Sequence, residues 1–288
     1  MRRRTSTYLR ISTVVLVTVT LAFTGLMAIT ASAPPKPRTP VPYVGMNLAY
    51  LYNKTTDIGG VLIKDRSHII INYISKTAEG LFYVEAHEEL FTFPLLVNAT
   101  SRQYASGAEE GSYVGHLVPL NLSIGDVVMI YSRRNFTVIS TSYSFQLREG
   151  IMIQAYDLLY QYSRALEGEN YNQTIHRFFD KKTGIMLQEL DRDIGNFSSG
   201  YGKISHDFEV TIVDDGTDND KDGLTDFEEL LVTRTDPLIP DTDQDLWLDT
   251  LDPWPDHILL PNGVILGALI IASISSIYMS RWLTRKSA

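Results

Sequence analysis

Carboxylates recur at alternate positions in one short stretch near the end of the chain. Counted from Asp218, acidic side chains occupy positions 1, 3, 5, 9 and 12, and a glycine occupies position 6. Calcium takes roughly six to eight oxygen ligands, and calcium loops present them with this spacing. The ligands predicted in this first loop are the carboxylates of Asp218, Asp220, Asp222, Asp226 and Glu229 and the backbone carbonyl of Leu224.

A second copy of the pattern begins at Asp241 and departs from it at two positions. Leu246 stands where the turn glycine is expected, and Asp252 replaces the closing glutamate. Aspartate is one methylene shorter than glutamate, so bidentate closure is less favoured. We therefore expect a looser site, or one that shares ligands with the first loop. The carboxylates of this second loop are Asp241, Asp243, Asp245, Asp249 and Asp252.

Apolar residues follow the first loop at helical spacing. Phe227, Leu230 and Leu231 would lie on one side of a short helix that leaves the loop. This spacing predicts an exit helix whose apolar side packs against another part of the protein.

The two loops, the linking Thr235-Asp236-Pro237 and the run Pro240-Asp241-Thr242-Asp243 resemble thrombospondin type 3 calcium-binding repeats. The resemblance covers residues 218–256, and it is strong in the first loop and degraded in the second. It implies bound Ca²⁺ and a prokaryotic surface protein, for which we expect an archaeal source. The competing interpretation is a solvated acidic linker that binds no metal.

The negative charge of the chain is concentrated in this segment. Residues 214–256 carry 15 acidic side chains against Lys221 and Arg234, a net charge of −13, whereas the whole chain carries −9. The remainder is therefore +4, without a basic, aromatic-rich patch that would indicate nucleic-acid binding. The chain has no cysteine, which excludes disulfides and thiolate metal sites.

The N-terminal residues have the pattern of an export signal. Arginines precede a mostly apolar run that ends in Ala31-Ser32-Ala33, so residues 1–33 are predicted to be a secretory signal peptide. An uncleaved N-terminal membrane anchor is the alternative. Residues 34–42 contain five prolines and are predicted to form an extended spacer.

The C-terminal residues have the pattern of a membrane anchor. Residues 258–280 form an uncharged stretch of 23 residues, enough to cross roughly 30 Å of hydrocarbon as a helix. Arg281, Arg285 and Lys286 follow in the tail, residues 281–288. The positive-inside rule places this tail in the cytoplasm. We predict a single-pass protein of the cell membrane with its ectodomain outside.

Residues 43–213 show the period of β-structure. Apolar and polar residues alternate in segments such as Ile204–Ile212. The pattern predicts strands over Ser67–Ser75, Leu81–Phe93, Val127–Ser132, Asn135–Leu147 and Gly150–Tyr162, with a helical turn as an alternative in Leu158–Leu166. Phe178–Leu187 is predicted to be a hairpin with Gly184 in the left-handed conformation. The fold class is mainly β: an antiparallel ectodomain, a calcium-loop segment at residues 214–256 and one C-terminal transmembrane helix.

The hairpin turn Asp180-Lys181-Lys182-Thr183-Gly184 and the pair Gly125-Asp126 are loosely similar to β domains of uncharacterised archaeal surface proteins. This resemblance implies no activity.

Six Asn-X-Ser/Thr triplets lie in the β segment and predict a glycoprotein. Their asparagines are Asn53, Asn98, Asn121, Asn135, Asn172 and Asn196.

No catalytic constellation occurs in the sequence, and we do not expect an enzyme. His87-Glu88-Glu89 lacks the second histidine of a helical zinc pair, and no nucleophile elbow is present. Two functions remain open. One is a structural or adhesion role at the cell surface, with a surface protein or glycan as partner. The other is an extracytoplasmic carrier domain that holds an apolar ligand in a β half-barrel.

If the acceptor triplets are used, protein from the native host will migrate well above its 32.4 kDa peptide mass. Deglycosylation should lower it to the mass of the bare chain without its signal peptide, because the rest of the difference is carbohydrate. Intact mass spectrometry before and after treatment measures the effect. A native mass equal to the bare chain contradicts it.

Overall fold

The computed structural model describes residues 38–256, except 90, 167–168 and 198–201, together with residues 270, 273, 274 and 277. The chain divides into two compact units. The β unit comprises residues 39–219 and 225–237. The acidic unit includes residues 220–224 and 238–256.

Ten antiparallel strands form one sheet in the β unit. The strands are β1 Asn47–Ile58, β2 Val61–Lys76, β3 Leu81–Glu88, β4 Phe91–Asn98, β5 Val127–Ile130, β6 Arg134–Arg148, β7 Ile151–Leu166, β8 Glu169–Asp180, β9 Met186–Phe197 and β10 Gly202–Val213. Their spatial order is β4-β3-β2-β1-β10-β9-β8-β7-β6-β5. The sheet is thus two meanders joined side by side, which confirms the predicted antiparallel β fold.

The join between the meanders is the pairing of β1 with β10. The ladder runs from Ala49 opposite Val213 to Ile58 opposite Ile204. Because the strands are antiparallel, the chain that enters β1 and the chain that leaves β10 lie at the same end of the sheet. Hydrogen bonds at that end join Asn47 to Thr217 and the carbonyl of Gly45 to the side chain of Asn219.

The core lies between one face of the sheet and the long connector at residues 99–126. The connector runs from β4 to β5, which are the two edge strands of the sheet. Its Val114, Leu117 and Val118 are fully buried, as are Phe179 and Leu187 on the sheet. Burial of these apolar side chains is the main force that closes the connector over the sheet.

Arg102 fixes the connector to its surroundings. Its guanidinium donates to the carbonyl oxygens of Val118 and Thr183, both at 2.7 Å, and of Val41 at 2.9 Å. These bonds satisfy backbone acceptors that strand pairing leaves open. Burial lowers the pKa of Arg102.

The helix predicted after the first acidic loop is present and belongs to the β unit. Helix α1, Asp226–Glu228, begins with a capping box on Thr225 and continues into a π-helical turn, Glu229–Thr233. Leu230 and Leu231 are buried in the sheet core, and Phe227 packs against it. The prediction that the apolar side of this helix packs on the protein is confirmed.

The β8–β9 hairpin is linked to this helix by a buried ion pair. Asp180 accepts hydrogen bonds from the amide and hydroxyl of Thr183, and Gly184 has φ +74°, as the sequence predicts. The guanidinium of Arg234 binds both oxygens of Asp180 at 2.8 Å. Arg234 follows the π-helical turn, so the ion pair fixes the helix to the hairpin.

Two predictions about the strands are wrong. Leu81–Phe93 is not one strand but parts of β3 and β4, which turn back at Glu89 with φ +48°. The helical alternative for Leu158–Leu166 also fails, since these residues continue β7 and pair along their length with β8. Pairing with a neighbouring strand overrides the weak local pattern.

The predicted membrane segments fall largely outside the described residues. Residues 1–33 lie outside them. Residues 258–280 also lie outside them, except for the helical positions 270, 273, 274 and 277. Within the described part of the chain, no helix has the length and hydropathy needed to span a bilayer. The transmembrane helix therefore remains a prediction from the sequence.

Replacement of Arg234 by methionine should destabilise the β unit strongly. The change keeps most of the side-chain bulk but leaves Asp180, which is 0% exposed, as an unpaired buried carboxylate. The expected loss is about 3–5 kcal/mol of unfolding free energy. Urea unfolding of the full-length chain, followed by circular dichroism, measures it.

Arg192→Met is the matched control for this experiment. Arg192 pairs with Asp207, but the two side chains are 70% and 52% exposed. Loss of this surface pair should cost less than about 1 kcal/mol. Equal losses in the two variants would show that the Asp180–Arg234 pair has no special role.

Candidate metal centre

Both acidic loops hold their ninth residue in the same way. In the first loop, Asp226 accepts hydrogen bonds from the amide of Asn219 at 3.0 Å and from its side chain at 2.6 Å. In the second loop, Asp249 accepts from the amide and hydroxyl of Thr242 at 2.9 and 2.7 Å. The residue at position 9 therefore closes the loop through position 2, which is a structural use of its carboxylate.

Hydrogen bonds along the middle of each loop also match. The amide at position 5 donates to the carboxylate at position 3, and the amide at position 7 donates to the carboxylate at position 5. The pairs are Asp222 to Asp220 and Leu224 to Asp222 in the first loop, and Asp245 to Asp243 and Trp247 to Asp245 in the second. The second loop thus repeats the first despite its altered sequence.

The backbone of the two loops turns at the same positions. Position 4 is left-handed in both, with φ +64° at Lys221 and +62° at Gln244. Position 6 also has positive φ, +102° at Gly223 and +81° at Leu246. Glycine adopts this conformation without strain, but leucine does not. The second loop therefore keeps the turn at an energetic cost.

The alternating carboxylates converge. One oxygen from each of Asp241, Asp243 and Asp245 lies within 4.8 Å of the other two, and Asp220 and Asp222 approach each other equally closely. Asp218 is half-buried and belongs to the β unit, near the end of its range 39–219. Close carboxylates of like charge repel one another unless a proton or a cation lies between them.

The second loop contains buried carboxylate oxygens that lack a hydrogen-bond donor. Asp243, Asp245 and Asp252 are 9%, 3% and 8% exposed. Within the described residues, the Oδ2 atom of each accepts no hydrogen bond. A buried acceptor without a partner is costly, and such atoms in a native protein point to a ligand or ion that is not part of the chain.

The electrostatics of these groups agree with their geometry. Burial, reinforced by the charge of Asp245, raises the pKa of Asp243 to about 7. Burial also raises the pKa of Asp245, and it raises the pKa of Asp249 to about 6 although Thr242 donates to it. The metal-free chain thus holds its negative charges here at a cost that a cation would remove.

Asp252 offers one oxygen to the centre. Its Oδ1 atom accepts a hydrogen bond from the amide of Trp254 at 2.9 Å, and Oδ2 remains. The geometry therefore favours monodentate closure, as the short side chain suggests. Asp241 is used differently, because its two oxygens accept from the amides of Asp245 and Leu246 at 3.1 and 2.8 Å.

The first loop differs in its ninth and twelfth residues, which belong to the β unit. Asp226 also accepts a hydrogen bond from the phenol of Tyr43 at 2.7 Å. Burial raises the pKa of Asp226, and its donors offset part of that rise. Glu229 is fully buried, and its Oε1 atom accepts from the hydroxyl of Thr235 at 3.1 Å. Both carboxylates are thus held by side chains of the β unit.

The acidic unit joins the middle of one loop to the end of the other. The hydroxyl of Thr250 donates to the carbonyl of Asp222 at 2.6 Å, and its amide donates to the Asp222 carboxylate at 3.3 Å. Gly223 lies against Thr250, and a Cβ there would meet its hydroxyl at 3.3 Å. Hydrogen bonds therefore join the two loops, and the sharing of metal ligands between them stays a prediction.

Sequence reasoning missed the residues that hold the loops in place. Asn219 and Thr242 at position 2, together with Tyr43 and Thr250, bind loop atoms and none belongs to the ligand pattern. The polar residue at position 2 of both loops was a signal that could have been noticed. Tyr43 gave none, since it lies 183 residues from Asp226.

The glycosylation acceptors lie at different places in the β unit. Asn53, Asn135, Asn172 and Asn196 are on strands, and Asn98 ends β4 with its Oδ1 atom accepting from two backbone amides. Asn121 is exposed in the connector. Their use as acceptors remains a prediction.

A groove of about 670 Å³ crosses the central strands of the β unit. Polar side chains, including Thr55, Arg192, Asp207 and Glu209, predominate in its lining. This groove therefore does not offer the aromatic-lined, dry pocket that an apolar ligand requires.

No protein-family model matches the chain, and no curated protein matches it. Among solved structures, the crystal structure of a DUF1329 family protein from Desulfovibrio piger is similar, with 9% sequence identity and a TM-score of 0.18. The match covers 74% of this chain and 96% of that chain. A likeness at this TM-score does not extend to function.

Thr250→Val should loosen the link between the two loops. The variant keeps the shape of the side chain but removes the donor to the Asp222 carbonyl, so the acidic unit should lose about 0.5–1.5 kcal/mol of local stability. Amide hydrogen exchange over residues 220–224 and 241–252 measures it. Thr137→Val, at an exposed strand position, is the control. Unchanged exchange in Thr250→Val would show that this hydrogen bond does not hold the loops.

Proposed function

We propose that the protein is a calcium-binding, membrane-anchored surface protein with a structural or adhesive role. The observation that best supports this proposal is the set of three buried Asp oxygens in the second loop, which have no hydrogen-bond donor in the described part of the chain. Burial and the charges of neighbouring carboxylates raise the pKa of Asp243 and that of Asp245. A cation bound among them would relieve both the repulsion and the cost of burial.

The donor set favours calcium over softer metals. The candidate ligands are carboxylate and carbonyl oxygens, the chain has no cysteine, and no histidine lies in residues 214–256. Oxygen-only sites with several carboxylates suit hard cations, and a flexible loop suits calcium better than magnesium.

The ligands proposed in the second loop are Asp241, Asp243, Asp245 and Asp252. Asp249 is not a ligand in this proposal, because it closes the loop through its hydrogen bonds from Thr242. For the first loop, the ligands Asp218, Asp220, Asp222, Asp226, Glu229 and the carbonyl of Leu224 stay the prediction made from their spacing in the sequence.

Calcium would act here as a structural element. Residues 214–256 carry a net charge of −13, so without metal the segment opposes its own compaction. A dissociation constant on the order of 10⁻⁴ to 10⁻³ M is typical of extracellular calcium modules. At ten times that constant, binding adds about 1.4 kcal/mol, enough to order a short segment but not to fold a domain.

The location of the protein is part of the proposal. The export pattern at residues 1–33, the uncharged stretch at residues 258–280 and the basic tail support an ectodomain outside the cell and a tail in the cytoplasm. Calcium in the acidic unit would then stiffen the chain between the β unit and the membrane. Adhesion to a surface protein or glycan is the corresponding role of the β unit.

A carrier role is the second candidate, and the groove on the β unit is the observation that favours it. Because polar side chains predominate in the lining, the ligand would be polar and not the apolar one expected from the sequence. Tyr50, Phe179 and Leu187 are buried in the core of the β unit, where they pack with other apolar side chains. The structural role is therefore the better supported of the two.

Isothermal titration of the full-length chain with calcium tests the proposal. We expect two ions per chain, reduced to one by Asp245→Asn, because Asp245 is 3% exposed and supplies an oxygen without a donor. Glu149→Gln, which also removes one negative charge at an exposed position, in the turn between β6 and β7, is the control and should leave both sites intact. The absence of calcium binding at millimolar concentration would leave an acidic spacer.

A further inference from the structure

The second acidic loop exposes large apolar side chains. Leu246 is 86% exposed, and Leu251 is 66% exposed. Trp247, Leu248 and Trp254 are each 40–42% exposed. Large apolar side chains scattered singly over a surface need no explanation, but five within nine residues indicate an interaction surface.

Leu246 is the most informative of these residues. It occupies position 6 of the loop with φ +81°, where the first loop has Gly223. A glycine would make the same turn without strain and without an exposed apolar side chain. The loop therefore holds a leucine in solvent at a conformational cost. Contacts among the described residues do not account for it, because Leu246 is 86% exposed.

The sequence that follows indicates what would cover this surface. The uncharged stretch proposed to cross the membrane begins at Ile258, four residues after Trp254. The second loop is therefore tethered close to a bilayer in the proposed function. Tryptophan favours the interface between lipid and water, because its ring is apolar and its indole N–H is polar.

We propose that the second acidic loop docks on the lipid bilayer when calcium is bound, with Leu246, Trp247, Leu248, Leu251 and Trp254 in contact with the lipid. This inference rests on the proposed function for both the metal and the tether. It adds that the calcium loop is a membrane-contact element, so that calcium sets how the chain above it stands on the membrane.

The dependence on calcium follows from the position of the charges. Asp241, Asp243, Asp245, Asp249 and Asp252 lie in the same segment as the apolar side chains. Contact with a bilayer removes water from the groups that face it. Loss of water from a carboxylate without a counter-charge costs free energy, which opposes the contact. Calcium neutralises part of this charge and fixes the loop, so the apolar side chains can enter the interface together. The remaining negative charge favours zwitterionic over anionic lipid.

Tryptophan quenching by brominated lipid tests the contact. The chain has three tryptophans, so Trp254→Phe/Trp282→Phe leaves Trp247 as the only reporter. The full-length variant is placed in nanodiscs of phosphatidylcholine with or without brominated acyl chains. We expect Trp247 fluorescence to fall in the brominated discs in millimolar calcium and to recover when a chelator is added.

Variants at position 246 separate docking from folding. Leu246→Gly relieves the backbone strain but removes the apolar side chain, so calcium binding should be equal or tighter while quenching is lost. Leu246→Asn, whose side chain tolerates positive φ, should behave in the same way. Leu62→Asn, at a 62% exposed position of β2, is the control and should leave quenching unchanged.

The outcomes distinguish this inference from the proposed function. Loss of calcium binding in titration, or failure of the chain to enter nanodiscs, would overturn the proposed function and the docking with it. Calcium binding without quenching would overturn the docking alone. Quenching that is unchanged by calcium removal and by the Leu246 variants would also overturn the docking, because the tether alone would then bring Trp247 close to the lipid. Blue-shifted Trp247 emission without quenching would indicate a protein contact and would also overturn it.

Discussion

The pairing of β1 with β10 is the constraint on which the arrangement of the β unit depends. It joins two meanders whose strands are far apart in sequence, and it brings the start of β1 beside the end of β10. Tyr43, which precedes β1, thereby reaches Asp226, which follows β10. The long-range ladder carries the entropy cost of bringing these ends together, and the local hydrogen bonds then form at little further cost.

The two acidic loops meet the problem of clustered negative charge in different ways. In the first loop, Asp226 and Glu229 lie in the β unit, where Tyr43 and Thr235 donate to them. In the second loop, Asp243 and Asp245 have only part of their acceptor capacity filled by backbone amides. The second loop, which is the weaker match in sequence, therefore holds the oxygens that best support our calcium proposal. Ligand spacing and metal dependence are separate properties.

Helix α1 and the turn after it connect the chemistry of the loops to the core. Thr225 caps the helix, Leu230 and Leu231 enter the sheet core, and Arg234 binds Asp180. The acidic segment predicted as one domain at residues 214–256 is consequently divided, with residues 225–237 forming part of the β unit. Apolar burial decides this division, because a polar segment alone has too little core to hold a helix of this length.

The sequence by itself determined the antiparallel β class, the hairpin at Gly184, the exit helix and the ligand spacing, because each depends on neighbouring residues. Only the tertiary structure decided that β1 pairs with β10 and that Asp226 and Asp249 close their loops. It also decided that Asp243, Asp245 and Asp252 each keep a buried oxygen to which none of the described residues donates. Those features depend on burial and on partners far along the chain, and the physical cost of a buried charge exists only once the fold has excluded water from it.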